Sequence, residues 1–230
     1  MRLTQAPPSK QDTLPFLTEF PDFDALLDDY STLPALRRKK ILVKQNERFH
    51  GLYVVRCGML KQSYRDVGLG EQVTHFFLPG NVIGLDAIES RRYSGKVTAL
   101  ETAGIIHIPF SRLEEFPGAR ENFLRLLCYL SRAMQHERNH MRYVLMHSSD
   151  VRLARFFLTM SSSFRSQGFS AYNFRLPMTR CEIANYLCMA FETASRLVSR
   201  FQYKKILMAR GHEYSITDFE KLVEIAESER

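Results

Sequence analysis

The chain has 230 residues, 45% of them hydrophobic and 25% charged, with a formal net charge of +7. That length allows one or two domains with a real core, and the positive surplus favours a polyanionic partner. No apolar run nears the ~18 residues of a membrane span, and the N-terminus lacks a signal-peptide core, which argues for a cytoplasmic protein with no membrane contact. Cys57, Cys128, Cys181 and Cys188 are scattered without metal-ligand spacing. A chain of this size does not need disulfides, so reduced thiols are the simplest reading.

Residues 1–20 hold Pro7, Pro8 and Pro15 among many polar residues, and no cysteine. They read as an irregular arm. Phe23, Leu26 and Leu27 suggest a short helix over 21–33. From about 34 to 112 the pattern changes to β-branched and aromatic runs at 41–43, 51–56, 59–64, 72–77, 97–100 and 104–108. Gly58, Gly68, Gly70, Gly80 and Gly84 punctuate them as turn residues. Short strands with regular turns predict a barrel or jelly roll.

Residues 111–147 read as one long helix, with Pro117-Gly118 a candidate interruption. Phe123, Leu127, Leu130, Met134, Met141 and Val144 recur in alternating steps of four and three, a heptad seam. Leu127, Met134 and Met141 take position a; Phe123, Leu130 and Val144 take d; Glu137 takes the remaining d. Such a seam predicts a parallel homodimer. In it Glu137 would face its own copy, with Arg138 the nearest cation. The same helix carries His136-Glu137-Arg138-Asn139-His140, which matches the His-Glu-x-x-His pattern of zinc proteases. The two histidines fall outside the seam and no third ligand is evident nearby, so solvent-facing imidazoles are expected and no catalytic or metal residue is assigned.

Residues 148–167 continue as a helix capped from Ser148, Ser149 or Asp150, with Val151, Leu153, Phe156, Phe157, Leu158 and Met160 inward. Phe174 enters a short strand. Thr179 and Glu182 then form a capping box. Ile183, Tyr186 and Leu187 make an apolar face, the pattern breaks at Cys188-Met189-Ala190, and it resumes as Ala194, Leu197, Val198 and Phe201. The opposite face carries Glu192, Ser195, Arg196 and Arg200. Two short helices joined by a tight turn, the second presenting Glu, Ser and Arg, predict a helix-turn-helix. A hairpin over 206–216, turning at Arg210-Gly211-His212, follows, and then an amphipathic helix within 217–230. Between 151 and 212 ten basic residues face two acidic ones, a surplus of eight. This segment alone exceeds the net charge of the chain and points to double-stranded DNA.

Met178-Thr-Arg-x-Glu-Ile-Ala-x-Tyr-Leu187 followed by Glu192-Thr-x-Ser-Arg196-Leu197 resembles the signature of the Crp/Fnr family of bacterial transcription regulators, closest to its Fnr branch. Leu52-Tyr-x-Val-x-Cys-Gly58, Gly70-Glu-Gln72, Leu78-x-Gly80, Val82-Ile-Gly84-Leu-Asp86-Ala-Ile88, Ala99-Leu-Glu101-Thr102 and Ile108-Pro-Phe110 are similar to its sensor motifs, in order. The resemblance covers about residues 34–216. It implies an α+β fold: an N-terminal cyclic-nucleotide-binding-type β-roll, or jelly roll, at 21–115 behind the arm at 1–20; a long dimerisation helix at 116–147; and a C-terminal winged helix-turn-helix at 148–230.

The family function so implied is sequence-specific DNA binding by a homodimer on an inverted repeat of TTGAT-like half-sites, with RNA polymerase a further partner and no enzymatic activity. Arg196 is expected to read guanine, Glu192 to accept from cytosine N4, and Ser195 to meet a nearby base edge. Thr179, Arg180, Thr193 and Arg200 are expected on phosphates. Three departures stand inside the motif. Cys188 replaces the usual turn glycine, Ala190 the usual Ser or Thr cap, and Phe191 places an aromatic at the leading edge. Cofactors depart too. Oxygen-sensing relatives carry a cysteine cluster in the arm for an iron–sulfur centre, and a further ligand where this chain has Ile106. Cyclic-nucleotide binders carry Gly-Glu-Leu and Arg-Ser where this chain has Gly84-Leu85-Asp86 and Tyr93-Ser94. Neither an iron–sulfur cluster nor cyclic AMP is expected, and an effector, if there is one, is unnamed. Fnr proteins also carry an acidic residue near Glu137, linked to monomer–dimer switching. The alternative from another class is a metal- or haem-dependent sensor or enzyme, needing His75, His107, His136 or His140 to converge; nothing in their spacing says so.

Overall fold

A computed structural model describes residues 33–228 apart from Val67, Leu69 and 112–118; within the long helix the side chains of 119–125 are also outside the description. The expected arm and the short helix before residue 33 lie outside the described residues, as do Pro117-Gly118 and the Phe123 side chain.

Alternation of inward and outward residues folds the first half into two facing sheets. One has strand order β1-β6-β3-β4, from Ile41–Val43, Lys96–Ala99, Leu60–Asp66 and Gly70–Phe77. The other has order β5-β2-β7, from Val82–Ile83, Gly51–Cys57 and Gly104–Pro109. All pairings are antiparallel, with Tyr53 opposite His107 and Val54 opposite Ile106. The short β5 was not among the expected strands, because a two-residue run carries no readable period. Between the sheets lie Val43, Leu52, Val54, Leu60, Phe77, Ile83, Val97, Ile105 and Ile106. Gly58 is required at its turn: its φ is +78°, and a Cβ there would come within 2.5 Å of the Thr102 carbonyl.

The long helix α1 runs Ala119–Met146, and α2 runs Ser149–Ser166. The second half adds β8 (Asn173–Arg175), α3 (Arg180–Tyr186), α4 (Phe191–Tyr203), β9 (Leu207–Arg210), β10 (Glu213–Ile216) and α5 (Phe219–Glu227). The three strands pair in the order β8-β10-β9, and the β9–β10 hairpin is the wing. The expected β-roll, long helix and winged helix-turn-helix are all present.

A bulge in β4 at Thr74, where His75 stands opposite Gln62 and Val73 opposite Ser63, shifts the alternation and links the halves. Phe77 points into the roll, while Val73 and Phe76 point out and join a second core with Phe156, Phe157, Tyr186, Leu197, Val198 and Phe201. The Phe76 ring centroid lies 5.0 Å from that of Tyr186 on α3.

Candidate nucleic-acid interface

The reading unit is built from local rules that the structure satisfies. Thr179 caps α3: its hydroxyl accepts from the Glu182 amide at 3.2 Å, and the Glu182 carboxylate returns to the Thr179 amide at 2.7 Å. Burial works to raise the Glu182 carboxyl, but the Thr179 hydrogen bonds and the Lys61 ammonium at 2.9 Å outweigh it and hold it below the usual carboxylate range. After α3 the chain turns at Cys188 with φ of +49°. This is the left-handed conformation that glycine adopts without penalty. Ala190 stands at the N-cap of α4 with no side-chain hydrogen bond. Both expected departures are therefore real features of the backbone.

Helix α4 buries Ala194, Leu197, Val198 and Phe201 and turns its other face outward. Phe191, Glu192, Arg196, Ser199 and Arg200 are exposed there, with Thr193 and Ser195 half-buried. Residues at i, i+1, i+4, i+5, i+8 and i+9 share one side of a helix. The helix thus brings the expected base-reading set together. Ser199 and Tyr203 share that side and were not singled out from sequence; Tyr203 is 90% exposed.

The expected phosphate contacts are less uniform. Thr179 is exposed but its hydroxyl also donates to Glu182 at 2.9 Å, and Arg180 is half-buried. The Arg200 guanidinium meets Asp150 at 3.2 Å. Arg152 is a functional residue that sequence reasoning missed. It donates to the carbonyls of Leu187 at 2.6 Å and Cys188 at 3.0 Å, holding the turn between the two helices. No sequence signal marks it, because its partners lie 35 and 36 residues away.

Behind the reading unit, α1 departs from expectation. His136 and His140 do not face solvent. Both are half-buried: His140 stacks on Tyr186 with ring centroids 4.2 Å apart, and His136 lies edge-on to His75 of β4 at 5.0 Å. Burial pushes the His136 imidazole down to about 4, so the ring is neutral near pH 7. Glu137 places its carboxylate 3.2 Å from His75 Nδ1, so its partner within the chain is His75 rather than Arg138. The reason is tertiary: β4 crosses beside α1, which heptad counting along one helix cannot show. Among the described residues the large apolar side chains exposed on α1 are Leu127, Met134, Met141, Leu145 and Met146, while Leu130 and Val144 are half-buried. The bare stripe therefore follows the expected a positions but runs on through Leu145 rather than Val144.

Two cavities flank the histidines. One of about 300 Å³ lies between the roll and α1, lined by Gln62, Phe77, Asp86, Ser94, Arg132 and Glu137 among others. The second, about 100 Å³, is lined by His136, His140, Tyr143, Arg152, Phe156 and Tyr186. His75 lines both.

A family model described as a Crp-like helix-turn-helix domain matches residues 151–225, and one described as a cyclic nucleotide-binding domain matches residues 34–117. The transcriptional activator protein FnrA of Stutzerimonas stutzeri is 36% identical over 209 residues, covering 89% of this chain and 84% of that protein. The transcriptional activator protein anr of Pseudomonas aeruginosa is 36% identical over 218 residues, covering 93% and 88%. Among solved structures, FixK2 from Bradyrhizobium japonicum superposes with a TM-score of 0.77 over 87% of this chain and 99% of that one, at 23% identity. At that identity the likeness speaks for the fold alone.

Proposed function

The chain belongs to the Crp/Fnr family of DNA-binding transcription regulators, and from there we propose that it acts as a homodimer on an inverted repeat of TTGAT-like half-sites. The observation that carries this reading is the outward face of α4, where Glu192, Ser195 and Arg196 stand together above a buried apolar face. Each α4 enters the major groove. Arg196 reads guanine through O6 and N7, Glu192 accepts from cytosine N4, and Phe191, 47% exposed, packs on a thymine methyl at the half-site edge. Thr179, Arg180, Thr193 and Arg200 face phosphates, Arg200 after leaving Asp150.

The bare stripe Leu127–Met134–Met141 supports the dimer, since large apolar side chains on one helix face gain by burial against a second copy. The relatives' names support an activator, which adds RNA polymerase as a partner of the assembled complex. The compartment is the cytoplasm, where such a regulator meets DNA; among the described residues no helix is long and apolar enough to cross a membrane.

An iron–sulfur cluster does not fit these residues. Thiolates hold such clusters. Residues 1–32 contain no cysteine. Cys57, Cys128, Cys181 and Cys188 sit at β2, α1, α3 and the turn, and Ile106 is 2% exposed within the roll's core. A cyclic nucleotide does not fit either. The Ser94 hydroxyl donates to the Asp86 carboxylate, which also takes the Gln62 amide at 3.3 Å, so a phosphate beside Ser94 would meet a negative charge. Arg92 is turned away to the Asn46 carbonyl, and Arg91 lies over the Phe110 ring. The regulator therefore works without either group.

Fluorescence anisotropy with a duplex carrying the inverted repeat, its half-sites about 34 Å apart, tests this. Tight, salt-sensitive binding of two chains per duplex, unchanged by cyclic AMP and by oxygen, is expected. Equal affinity for a scrambled duplex, or acid-labile sulfide in the anaerobically purified protein, would refute it.

A further inference from the structure

Away from the reading face, the described residues bring one group of three metal-ligating side chains together: His75 on β4, and His136 and Glu137 on α1. Their ligand atoms all lie within 4.8 Å of one another. Sixty residues lie between His75 and His136, so the grouping is a product of the fold.

We propose that His75, His136 and Glu137 form a divalent transition-metal site, of the Zn²⁺ or Fe²⁺ class, that pins α1 to β4. The donor set is two imidazoles and one carboxylate, which such ions take with further positions left for water or a small ligand. The geometry is close to ligation. Donors about 2.1 Å from a tetrahedral ion stand about 3.4 Å from each other, and His75 Nδ1 lies 3.2 Å from Glu137 Oε1. Closing the widest separation requires a shift of about 1.4 Å, within reach of side-chain rotation. An entry path exists as well. His75 and Glu137 line the 300 Å³ cavity of the roll, so the open positions of a bound ion would face that space. The His75 side chain is 14% exposed and that of Glu137 58%, a half-buried donor beside an accessible one.

The site touches the reading unit on two sides. One turn beyond His136, His140 stacks on Tyr186 of α3. Two and three residues before His75 on β4, Val73 and Gln72 hydrogen-bond to Asn185 of α3. An ion that fixes α1 against β4 thereby fixes two supports of α3.

The probe is Zn²⁺ alone, titrated calorimetrically into full-length protein stripped with chelator. One ion per chain and a raised melting temperature are expected. Co²⁺ in its place should give the visible d–d absorption of a site with imidazole and carboxylate ligands. His75→Gln and Glu137→Gln should each weaken Zn²⁺ by more than the roughly 10–100-fold that even outer-shell partners are worth. His75→Cys, which keeps a ligand, should retain the ion, and His147→Ala should bind as the parent does. Amide exchange in β4 and α1 should slow on adding Zn²⁺. Absence of binding in the parent would overturn the site and leave a plain His75–Glu137 ion pair. So would Zn²⁺ affinity unchanged in folded His75→Gln, or lost in His147→Ala, since both mean adventitious surface binding. Unchanged exchange in β4 and α1 would overturn the pinning. None of these readouts uses DNA, so they fail or succeed independently of operator reading.

Discussion

Replacing Cys188 by glycine should stabilise the protein, although it deletes a side chain. The residue holds φ at +49°, where an L side chain crowds its own carbonyl and loses roughly 1–2 kcal/mol. Glycine is free of that penalty but loosens the unfolded chain, which opposes the gain by about 0.4–1 kcal/mol. Little packing is lost, because Cys188 is exposed and its sulfur accepts only a long bond of 3.8 Å from Gln72 among the described residues. Arg152 grips the backbone carbonyls of this turn, not its side chain, so its hydrogen bonds survive the change. Taken at their midpoints the two terms leave a gain of about 0.8 kcal/mol, within a span of roughly 0 to 1.6. At roughly 2–4 °C per kcal/mol for a chain of this size, the melting temperature should rise by about 1–4 °C. Differential scanning calorimetry on the parent and on Cys188→Gly is the assay. Lys205→Gly, another non-glycine residue at positive φ (56°), serves as a comparison outside the turn. An unchanged or lower melting temperature in Cys188→Gly would refute the strain reasoning.

Two further perturbations separate roles on and beside the reading face. Arg196→Ala should lose about 1–3 kcal/mol on the cognate operator and relax one base position, whereas Arg200→Ala should weaken all sequences alike and flatten the salt slope by about one unit. Competition binding with randomised operators distinguishes them, and an identical uniform loss for both would sink the division. The third concerns pH. The Glu182 carboxyl is held below its ordinary value of 4.5 in the folded chain, so its contribution is complete above that value and is lost as pH falls through the lower folded one. Melting temperature should therefore fall more steeply below pH 4.5 in the parent than in Glu182→Gln; parallel slopes would show that the carboxylate is not responsible.

What the sequence made legible is what local rules control. The capping box at Thr179–Glu182, the forced left-handed turn at Cys188 and the uncapped start of α4 at Ala190 each depend on residues within four positions of one another, and each stands as expected. The outward set Glu192–Ser195–Arg196 followed from helical period alone. The misreadings all involve partners far along the chain. Arg138 looked like the cation nearest Glu137 because heptad counting sees α1 alone, yet β4 lies beside it and His75 takes that place. His136 and His140 looked solvent-facing for the same reason. His75, His136 and Glu137 could be seen as a group only once β4 and α1 were in place, and the grip of Arg152 on the turn crosses from α2 to the reading unit.

The same distance explains how the reading unit is attached to the roll. Among the described residues β4 is the edge strand of its sheet, with β3 on one side only. An edge leaves unpaired amides and carbonyls. Asn185 answers two of them with one side chain: its Oδ1 accepts from the Val73 amide at 2.5 Å, and its Nδ2 donates to the Glu71 carbonyl at 2.9 Å. A carboxamide offers a donor and an acceptor side by side, as the peptide of an added strand would, so α3 docks on the roll by imitating a strand. Asn185→Ala strips both bonds. The Glu71 carbonyl belongs to a partly exposed residue and can turn to water, but Val73 is 3% exposed and its amide would be left buried without a partner. An unmatched buried donor costs about 1–3 kcal/mol. The melting temperature should therefore fall by about 2–4 °C for each kcal/mol lost, and amide exchange should quicken at Val73 and along α3. Asn185→Asp keeps the acceptor and loses the donor, so it should recover part of the loss at Val73 and none at Glu71. A melting temperature unchanged in Asn185→Ala would mean that the contacts left intact, such as Lys61 with Glu182, Gln72 with the residue-185 carbonyl and Phe76 with Tyr186, suffice to hold the reading unit to the roll.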